Sequence, residues 1–226
     1  MPRTSLALIA VTTFALGLAG CAPTAEIAEP PVVTPTQTPT PSATPEEPVV
    51  AEIVIGSDAI TLSDSEGEPL GEYSYFDESA SPAIAAINDA LDADVEGVFT
   101  DGGNHASYNL YEWGGLTIRE FEADAEYPET FVFNTYAEAA EINGVQIAAT
   151  GGIQVGWAGA DVAPLSFEDN IDTGGTSDIH FYGVDRVLVD VPFQTYGPAR
   201  LSVGIWASVP DEVVYRIQAP GQNWGH

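Results

Sequence analysis

Apolar and polar residues alternate along most of the chain from residue 51 onward, in short runs separated by turn-forming residues. Alternation with a period of two is typical of strands that bury one face, and glycine or aspartate between runs favours antiparallel hairpins. The Gly114-Gly115 pair is the most direct hairpin signal. The runs that predict strands are Ile53–Ile55, Ile60–Leu62, Leu70–Phe76, Tyr108–Trp113, Leu116–Phe121, Phe131–Tyr136, Val145–Ala149, Val187–Val191, Leu201–Ala207 and Val213–Ile217.

Two segments follow a different pattern and predict helices. Ser81-Pro82 supplies a preferred N-cap residue followed by proline at the first helical position. Apolar residues then recur at spacings of three and four, which predicts an amphipathic helix over residues 82–92. A second, shorter helix is predicted over Gly159–Leu165, where Pro164 would stop it.

These elements predict an α+β fold, with one or two antiparallel sheets and one or two helices packed on one sheet face. The order of strand, helix and strands recurs loosely. It therefore predicts two similar halves, residues 51–137 and 142–220, within one exported domain of residues 51–226. The alternative is a mainly-β sandwich, because only the first helix has a strong signal.

The N-terminus carries a targeting pattern. Arg3 precedes the uncharged run Leu6–Leu18, which has the length of a signal-peptide core and is too short for a permanent membrane span. Leu18-Ala19-Gly20-Cys21 closes this run and resembles the lipobox of bacterial lipoproteins at every position. The resemblance implies that residues 1–20 are removed as a signal peptide and that the Cys21 thiol receives a diacylglyceryl group. We therefore expect a lipid anchor on the outer face of the cytoplasmic membrane.

Residues 21–50 form the predicted connection between this anchor and the domain. They contain eight prolines and six threonines. Proline fixes φ and removes a hydrogen-bond donor, so we expect an extended, disordered tether rather than a helix or a sheet. Such a tether would hold the domain away from the membrane and let it extend into the cell wall.

The balance of charge excludes several partners. The chain has 34 acidic residues, five arginines and no lysine, which gives a formal net charge of −29. Nucleic acids and anionic lipids are bound through clustered lysine and arginine, so neither is an expected ligand of the domain. The lipid on Cys21 is the only expected membrane contact, and self-repulsion predicts a monomeric domain.

No sequence pattern specifies catalysis. The nucleophile elbow of serine hydrolases and every lysine-based motif are absent, and the single cysteine is assigned to lipid. His105 lies in a polar, turn-like segment, and His180 lies at the start of a predicted strand. We predict a non-enzymatic protein. The alternative is a cell-wall-directed hydrolase that uses His105 or His180 with a nearby carboxylate.

Three aspartates are weak candidates for a metal site. Asp169, Asp172 and Asp178 lie in a segment that superficially resembles a calcium loop. Calcium prefers oxygen ligands, but the spacing fails as an EF-hand, so only an irregular site remains possible. We expect no cofactor other than the covalent diacylglycerol.

Two tryptophans are the candidate ligand-binding groups, since aromatic rings can bind glycans by stacking. Trp157 lies in a glycine-flanked turn, where strand packing does not account for a large ring. Trp206 alternates with Val203 and Ile205, so it faces solvent or a covering helix if those two residues face the core. Packing within the domain is the alternative for both rings.

Several segments combine into a pattern found in envelope proteins. They are the Ile53–Leu62 hairpin, the helix around Ile84–Leu91, the Tyr111–Gly114 strand end, and the segments Gly152–Gly156 and Ala160–Val162. Over residues 51 to about 165 this pattern resembles a group of uncharacterised actinobacterial lipoproteins. The glycine-framed segment also resembles envelope modules of the BamE and β-lactamase-inhibitor-like kind, although Ala158 and Pro164 depart from their pattern. Those modules bind other proteins.

The sequence therefore predicts a membrane-anchored lipoprotein whose acidic domain binds an envelope protein or glycan. A wall-directed hydrolase and a structural spacer without a specific ligand are the two alternatives.

Overall fold

The computed structural model describes residues 48–103, 105–122, 131–172, 179–189 and 199–222, which all belong to one compact unit. The predicted signal peptide, Cys21 and most of the predicted tether lie outside these residues. No helix in the described part of the chain is long and apolar enough to cross a membrane.

Strands dominate the described residues and form two sheets. In chain order the strands are β1 (Glu52–Ile55), β2 (Ala59–Ser63), β3 (Pro69–Ser74), β4 (Val98–Thr100), β5 (Tyr108–Trp113), β6 (Leu116–Phe121), β7 (Phe133–Ala137), β8 (Glu141–Ile142), β9 (Val145–Ala149), β10 (Glu168–Asp172), β11 (Ile179–Val189), β12 (Ala199–Ser208) and β13 (Val214–Gln222).

The smaller sheet has the strand order β3-β2-β1-β9-β8, and the larger has the order β10-β11-β12-β13-β7-β6-β5-β4. Neighbouring strands are antiparallel, except that β1 and β9 pair in parallel with Ile53 opposite Ile147. The pairing of β9 with β1, and of β13 with β7, joins the predicted halves 51–137 and 142–220 in both sheets. The sheets therefore do not coincide with those halves.

Two short helices accompany the sheets. The first, α1 (Ser81–Ala90), confirms the helix predicted over 82–92. The second, α2 (Gly159–Val162), continues as a 3-10 turn over Ala163–Leu165, so the short helix predicted there is present.

The predicted N-cap of α1 is wrong. Ala80 occupies that position and Ser81 is already helical. Side chains from outside the helix accept the free N–H groups instead. The Ala80 N–H donates to Glu120 Oε1 at 3.0 Å, and the Ser81 N–H donates to Ser79 Oγ at 3.0 Å. A carboxylate at this end also complements the positive end of the helix dipole.

One hydrophobic core is shared by both sheets and α1. Side chains with no exposed surface come from the smaller sheet (Ile53, Ile147), the larger sheet (Phe133, Ile205) and α1 (Ile87). Burial of these side chains is the main force that holds the layers together. Two facing sheets with a single core correspond more closely to the sandwich alternative than to a sheet covered by helices on one face.

Several predicted elements have the predicted bounds. Tyr108–Trp113, Leu116–Phe121 and Val145–Ala149 are strands as predicted, and the first two form a hairpin. Gly114 and Gly115 adopt φ of +58° and +123°, a region that suits glycine and confirms the turn between them. Strands β4, β8 and β10 were not predicted.

Candidate functional site

The two faces of the larger sheet have different side chains. Along β12, Leu201, Val203, Ile205 and Ala207 have no exposed surface. Trp206 lies between two of these buried residues and is half-buried, so it faces the other way, as the alternation predicted. The side of the sheet that carries Trp206 is called the outer face below.

Strand register brings further aromatic and basic residues to the outer face. Trp206 lies opposite Phe181 on one side and Arg216 on the other. On the strands beyond, Tyr136 lies opposite Thr117 and Arg119 lies opposite Asn134. The outer face is therefore defined by Phe181, Trp206, Arg216, Tyr136, Asn134, Arg119 and Tyr108.

Guanidinium groups and tyrosine rings alternate across this face. The Arg119 guanidinium lies 5.1 Å from the Tyr108 ring centre and 4.5 Å from that of Tyr136, and Arg119 Nη1 donates to the Tyr136 hydroxyl at 3.1 Å. Arg216 lies 5.9 Å from the same Tyr136 ring and forms an ion pair with Glu138. Tyr136 thus lies between two cations, each close enough for a cation–π interaction.

Three buried polar atoms on the outer face have no hydrogen-bond partner. They are Arg119 Nε, Asn134 Oδ1 and Trp206 Nε1. The amide nitrogen of Asn134 is used, because it donates to the Tyr136 hydroxyl at 3.3 Å. A buried polar atom without a partner costs about 1–3 kcal/mol. Such atoms are uncommon in folded proteins, and because these three have almost no accessible surface they are a cost to folding rather than contacts open to a ligand.

Gly204 makes room for the aromatic pair at one end of the outer face. A Cβ at this position would lie 2.8 Å from the Phe181 ring and 3.4 Å from Trp206 Nε1. The two rings meet edge to face with centres 5.3 Å apart. The absence of a side chain at Gly204 therefore lets both rings lie close to the backbone of β12.

The other two tryptophans that the structure describes do not belong to the outer face. Trp157 lies in the predicted turn, where its carbonyl accepts from the Val214 N–H at 2.9 Å, and its half-buried ring packs against the core. Trp113 is buried and donates from Nε1 to Asn88 Oδ1 at 2.7 Å. Trp224 lies outside the described residues. The packing alternative therefore describes Trp157 better than the ligand-binding prediction.

The two histidines have different surroundings. His105 is exposed in a turn. His180 is 7% exposed, its ring stacks on Tyr182 with centres 4.1 Å apart, and its Nδ1 lies 2.9 Å from the Tyr182 hydroxyl. Glu212 Oε1 lies 3.8 Å from the same nitrogen. A histidine with a nearby carboxylate is thus present, but its ring is enclosed by the fold.

The aspartates considered for calcium fall partly within a strand. The backbone of β10 pairs with β11, with Asp169 opposite Tyr182 and Asp172 opposite Ile179. Asp178 lies outside the described residues. Among the residues that the structure describes, no three acidic, histidine or cysteine side chains form a group that could hold a metal ion.

Neither the family models nor the curated proteins nor the solved structures that were compared with this chain gave a match. The resemblance to actinobacterial lipoproteins and to BamE-like modules therefore stays a prediction.

Proposed function

We propose that this protein is a surface lipoprotein, anchored through Cys21, whose exported domain binds a component of the cell envelope through its outer face. The observation that carries the proposal is the grouping of Trp206, Tyr136 and two arginines on a single face of the larger sheet. Tryptophan, tyrosine and arginine are the residues that contribute most to binding energy at protein interfaces.

The anchor is a separate part of the proposal, supported by the lipobox pattern Leu18-Ala19-Gly20-Cys21. Two or three acyl chains would hold the protein durably, since each buried methylene contributes about 0.8 kcal/mol. Mass spectrometry of the membrane fraction should show a chain that begins at Cys21 and carries the lipid mass. The Cys21→Ala protein should be unlipidated and soluble, and its retention in the membrane would contradict this assignment.

Binding is preferred over hydrolysis because of where the titratable groups lie. The His180–Glu212 approach is the observation that favours a hydrolase. A general base must reach a substrate proton, however, and the His180 ring is stacked on Tyr182 and largely enclosed. We expect the mature protein to leave purified cell walls intact. Release of soluble wall fragments that stops with His180→Gln would instead support the enzyme.

A sedimentation experiment tests the binding role. The mature chain without lipid is mixed with isolated cell envelopes, and the fraction that sediments is measured for the wild type and for Trp206→Ala. We expect Trp206→Ala to weaken retention by about tenfold, in the range of a truncated interface residue.

Phe99→Ala is the matched control, because Phe99 is also an exposed aromatic residue but lies off the outer face, opposite Asn109 on β5. Retention of this variant should equal that of the wild type. A wild type that sediments no more than Trp206→Ala would indicate a spacer without a specific ligand and would overturn the binding role.

A further inference from the structure

We propose that Asn143 undergoes spontaneous deamidation and that the modified residue releases the C-terminal end of α1 from the turn between β8 and β9. The modification needs no enzyme, since water is its only co-reactant. It is independent of the outer face and goes beyond the binding role proposed above. Three observations support it: the sequence of the turn, the open surroundings of the reacting atoms, and a hydrogen bond from the turn to α1.

The first observation is the sequence of the turn. Asn143-Gly144 is the only asparagine–glycine pair in the chain. The pair connects β8 to β9, with Ile142 opposite Val145, and its two residues adopt φ of +51° and +86°. Two-residue hairpin turns with positive φ at both positions favour asparagine followed by glycine. Because glycine has no side chain, the fold places here the dipeptide in which an asparagine side chain is least hindered from reacting with the next backbone nitrogen.

Deamidation of this pair is a cyclisation followed by a hydrolysis. The Gly144 backbone nitrogen attacks the Asn143 Cγ atom and forms a new N–C bond. The Cγ–Nδ2 bond breaks, and the side-chain nitrogen leaves as ammonia after it takes up the proton of the Gly144 N–H. Water then adds to one of the two carbonyl carbons of the resulting succinimide ring and reopens it. Residue 143 becomes an aspartate or an isoaspartate, and no oxidant or reductant takes part.

The second observation is that the turn is open to solvent. Asn143 and Gly144 are both exposed, and a Cβ placed on Gly144 would meet no atom within 4 Å. Among the described residues, none accepts a hydrogen bond from the Gly144 N–H. This N–H can therefore lose its proton to a base from solvent, which the attack on Cγ requires, and water can reach the ring that forms.

The third observation is the hydrogen bond that connects the turn to α1. Asn143 Nδ2 donates to the Leu91 carbonyl at 2.7 Å, across 52 positions of sequence. Leu91 is the C-cap of α1, and the carbonyls at the end of a helix have no partner within the helix. The amide of Asn143 supplies this missing donor. The Leu91 side chain is buried, so the same residue also holds the end of α1 in the core.

Deamidation turns this contact into a repulsive one. An ionised carboxylate accepts hydrogen bonds and donates none, so an oxygen would replace the donor opposite the Leu91 carbonyl. A negative charge is also unfavourable near the C-terminal end of a helix, where Asp89 and Asp92 already lie. An isoaspartate further adds one atom to the main chain of a two-residue turn, whose length fixes the register of β8 and β9. All three effects loosen the end of α1.

Mass spectrometry of aged protein tests the modification. The mature chain is incubated in mildly alkaline buffer, and conversion at each asparagine is followed in proteolytic peptides. We expect Asn143 to be converted while Asn88 and Asn109, which precede residues larger than glycine, stay intact. Asn143→Gly keeps the positive φ of the turn without the amide, so its peptide should gain no mass. If Asn143 stays intact in the folded protein and is converted only in urea, the native turn protects it and the proposal is overturned.

Hydrogen exchange tests the release of α1. The Leu91 and Ala93 N–H groups donate to carbonyls of the helix and report on its C-terminal end. In Asn143→Asp these amides should exchange about tenfold faster than in the wild type, as expected for one lost hydrogen bond. Gln154→Glu is the matched control, because it also replaces an amide by a carboxylate, but Gln154 bonds to Gln146 rather than to α1. Exchange that is unchanged in Asn143→Asp, or equally fast in both variants, would overturn the release.

Discussion

The two faces of the larger sheet are built from the same strands and yet depend on different interactions. The inner face presents Ile205, Ile217 and Phe133, none of which has exposed surface. The outer face presents Trp206 and Arg119, which are half-buried and leave polar atoms unpartnered. The inner face is explained by the hydrophobic effect alone. The outer face is not, because burying polar atoms without partners lowers stability.

Adjacent residues of β12 provide the strongest test of this contrast. Ile205→Ala should lower the free energy of unfolding by about 2–5 kcal/mol, because it leaves a cavity in the shared core. Trp206→Ala, one residue further on, should lower it by less, since its ring is half-buried on the other side. Urea denaturation measures both. A larger loss for Trp206→Ala would show that the outer face is structural.

Within the described part of the chain, the hydrophobic core also contains an unpartnered polar atom, the fully buried Tyr75 hydroxyl. Tyr75→Phe removes this group and keeps the ring, which meets Phe133 edge to face at 5.1 Å. We expect the variant to be about 1 kcal/mol more stable at pH 7, because an unpartnered hydroxyl no longer has to be buried. A loss of stability in urea denaturation would show that the hydroxyl has a partner.

Because of the same hydroxyl, we expect the stability of the protein to depend on pH in the alkaline range. Burial raises the pKa of Tyr75 well above its ordinary value of 10.0, and the charges of Asp58 and Asp185 raise it further. The folded protein thus holds this proton more tightly than the unfolded chain. Its contribution to stability is complete below pH 10 and is lost as the pH rises above that value. The loss of stability as the pH rises above about 10, the ordinary tyrosine pKa, should be smaller in Tyr75→Phe.

A smaller loss of stability is expected from a substitution at the contact between β6 and the start of α1. Glu120 Oε1 accepts from the Ala80 N–H at 3.0 Å and from the Ser79 hydroxyl at 3.1 Å. Glu120→Ala should lower the free energy of unfolding by about 1 kcal/mol, as for the loss of a helix cap. Glu112→Ala on the neighbouring strand is the control and should have little effect, because Glu112 is exposed. Equal effects of the two changes, measured in urea, would contradict the capping role.

The sequence predicted more of the fold than of the site. Alternation is a local signal, so it identified the β5–β6 hairpin and the side of β12 on which Trp206 lies. It missed β10, whose sequence is rich in aspartate and asparagine, and β4, which is three residues long with Val98 and Phe99 exposed. It also placed the helix cap on Ser81, because the carboxylate that accepts the Ala80 N–H comes from a residue 40 positions away.

The grouping of Arg119, Tyr136 and Trp206 had no local signal. Tyr136 and Arg119 come together through the register of β6 and β7, and they join Trp206 only because β13 pairs with β7 across a long stretch of sequence. Such register is determined by the core and by strand pairing rather than by neighbouring residues. The scattered positions of these residues in the sequence therefore gave no sign of the grouping that the fold assembles.

Oxidative footprinting of the mature chain on isolated envelopes tests the central claim most directly. Hydroxyl radicals modify exposed aromatic side chains, and mass spectrometry reports the degree of modification at each residue. We predict that envelopes protect Tyr136, Tyr108 and Trp206, and that they leave Trp157 and Phe99 as reactive as in the free protein. Protection of Phe99 with no protection of Trp206 or Tyr136 would contradict the assignment of binding to the outer face.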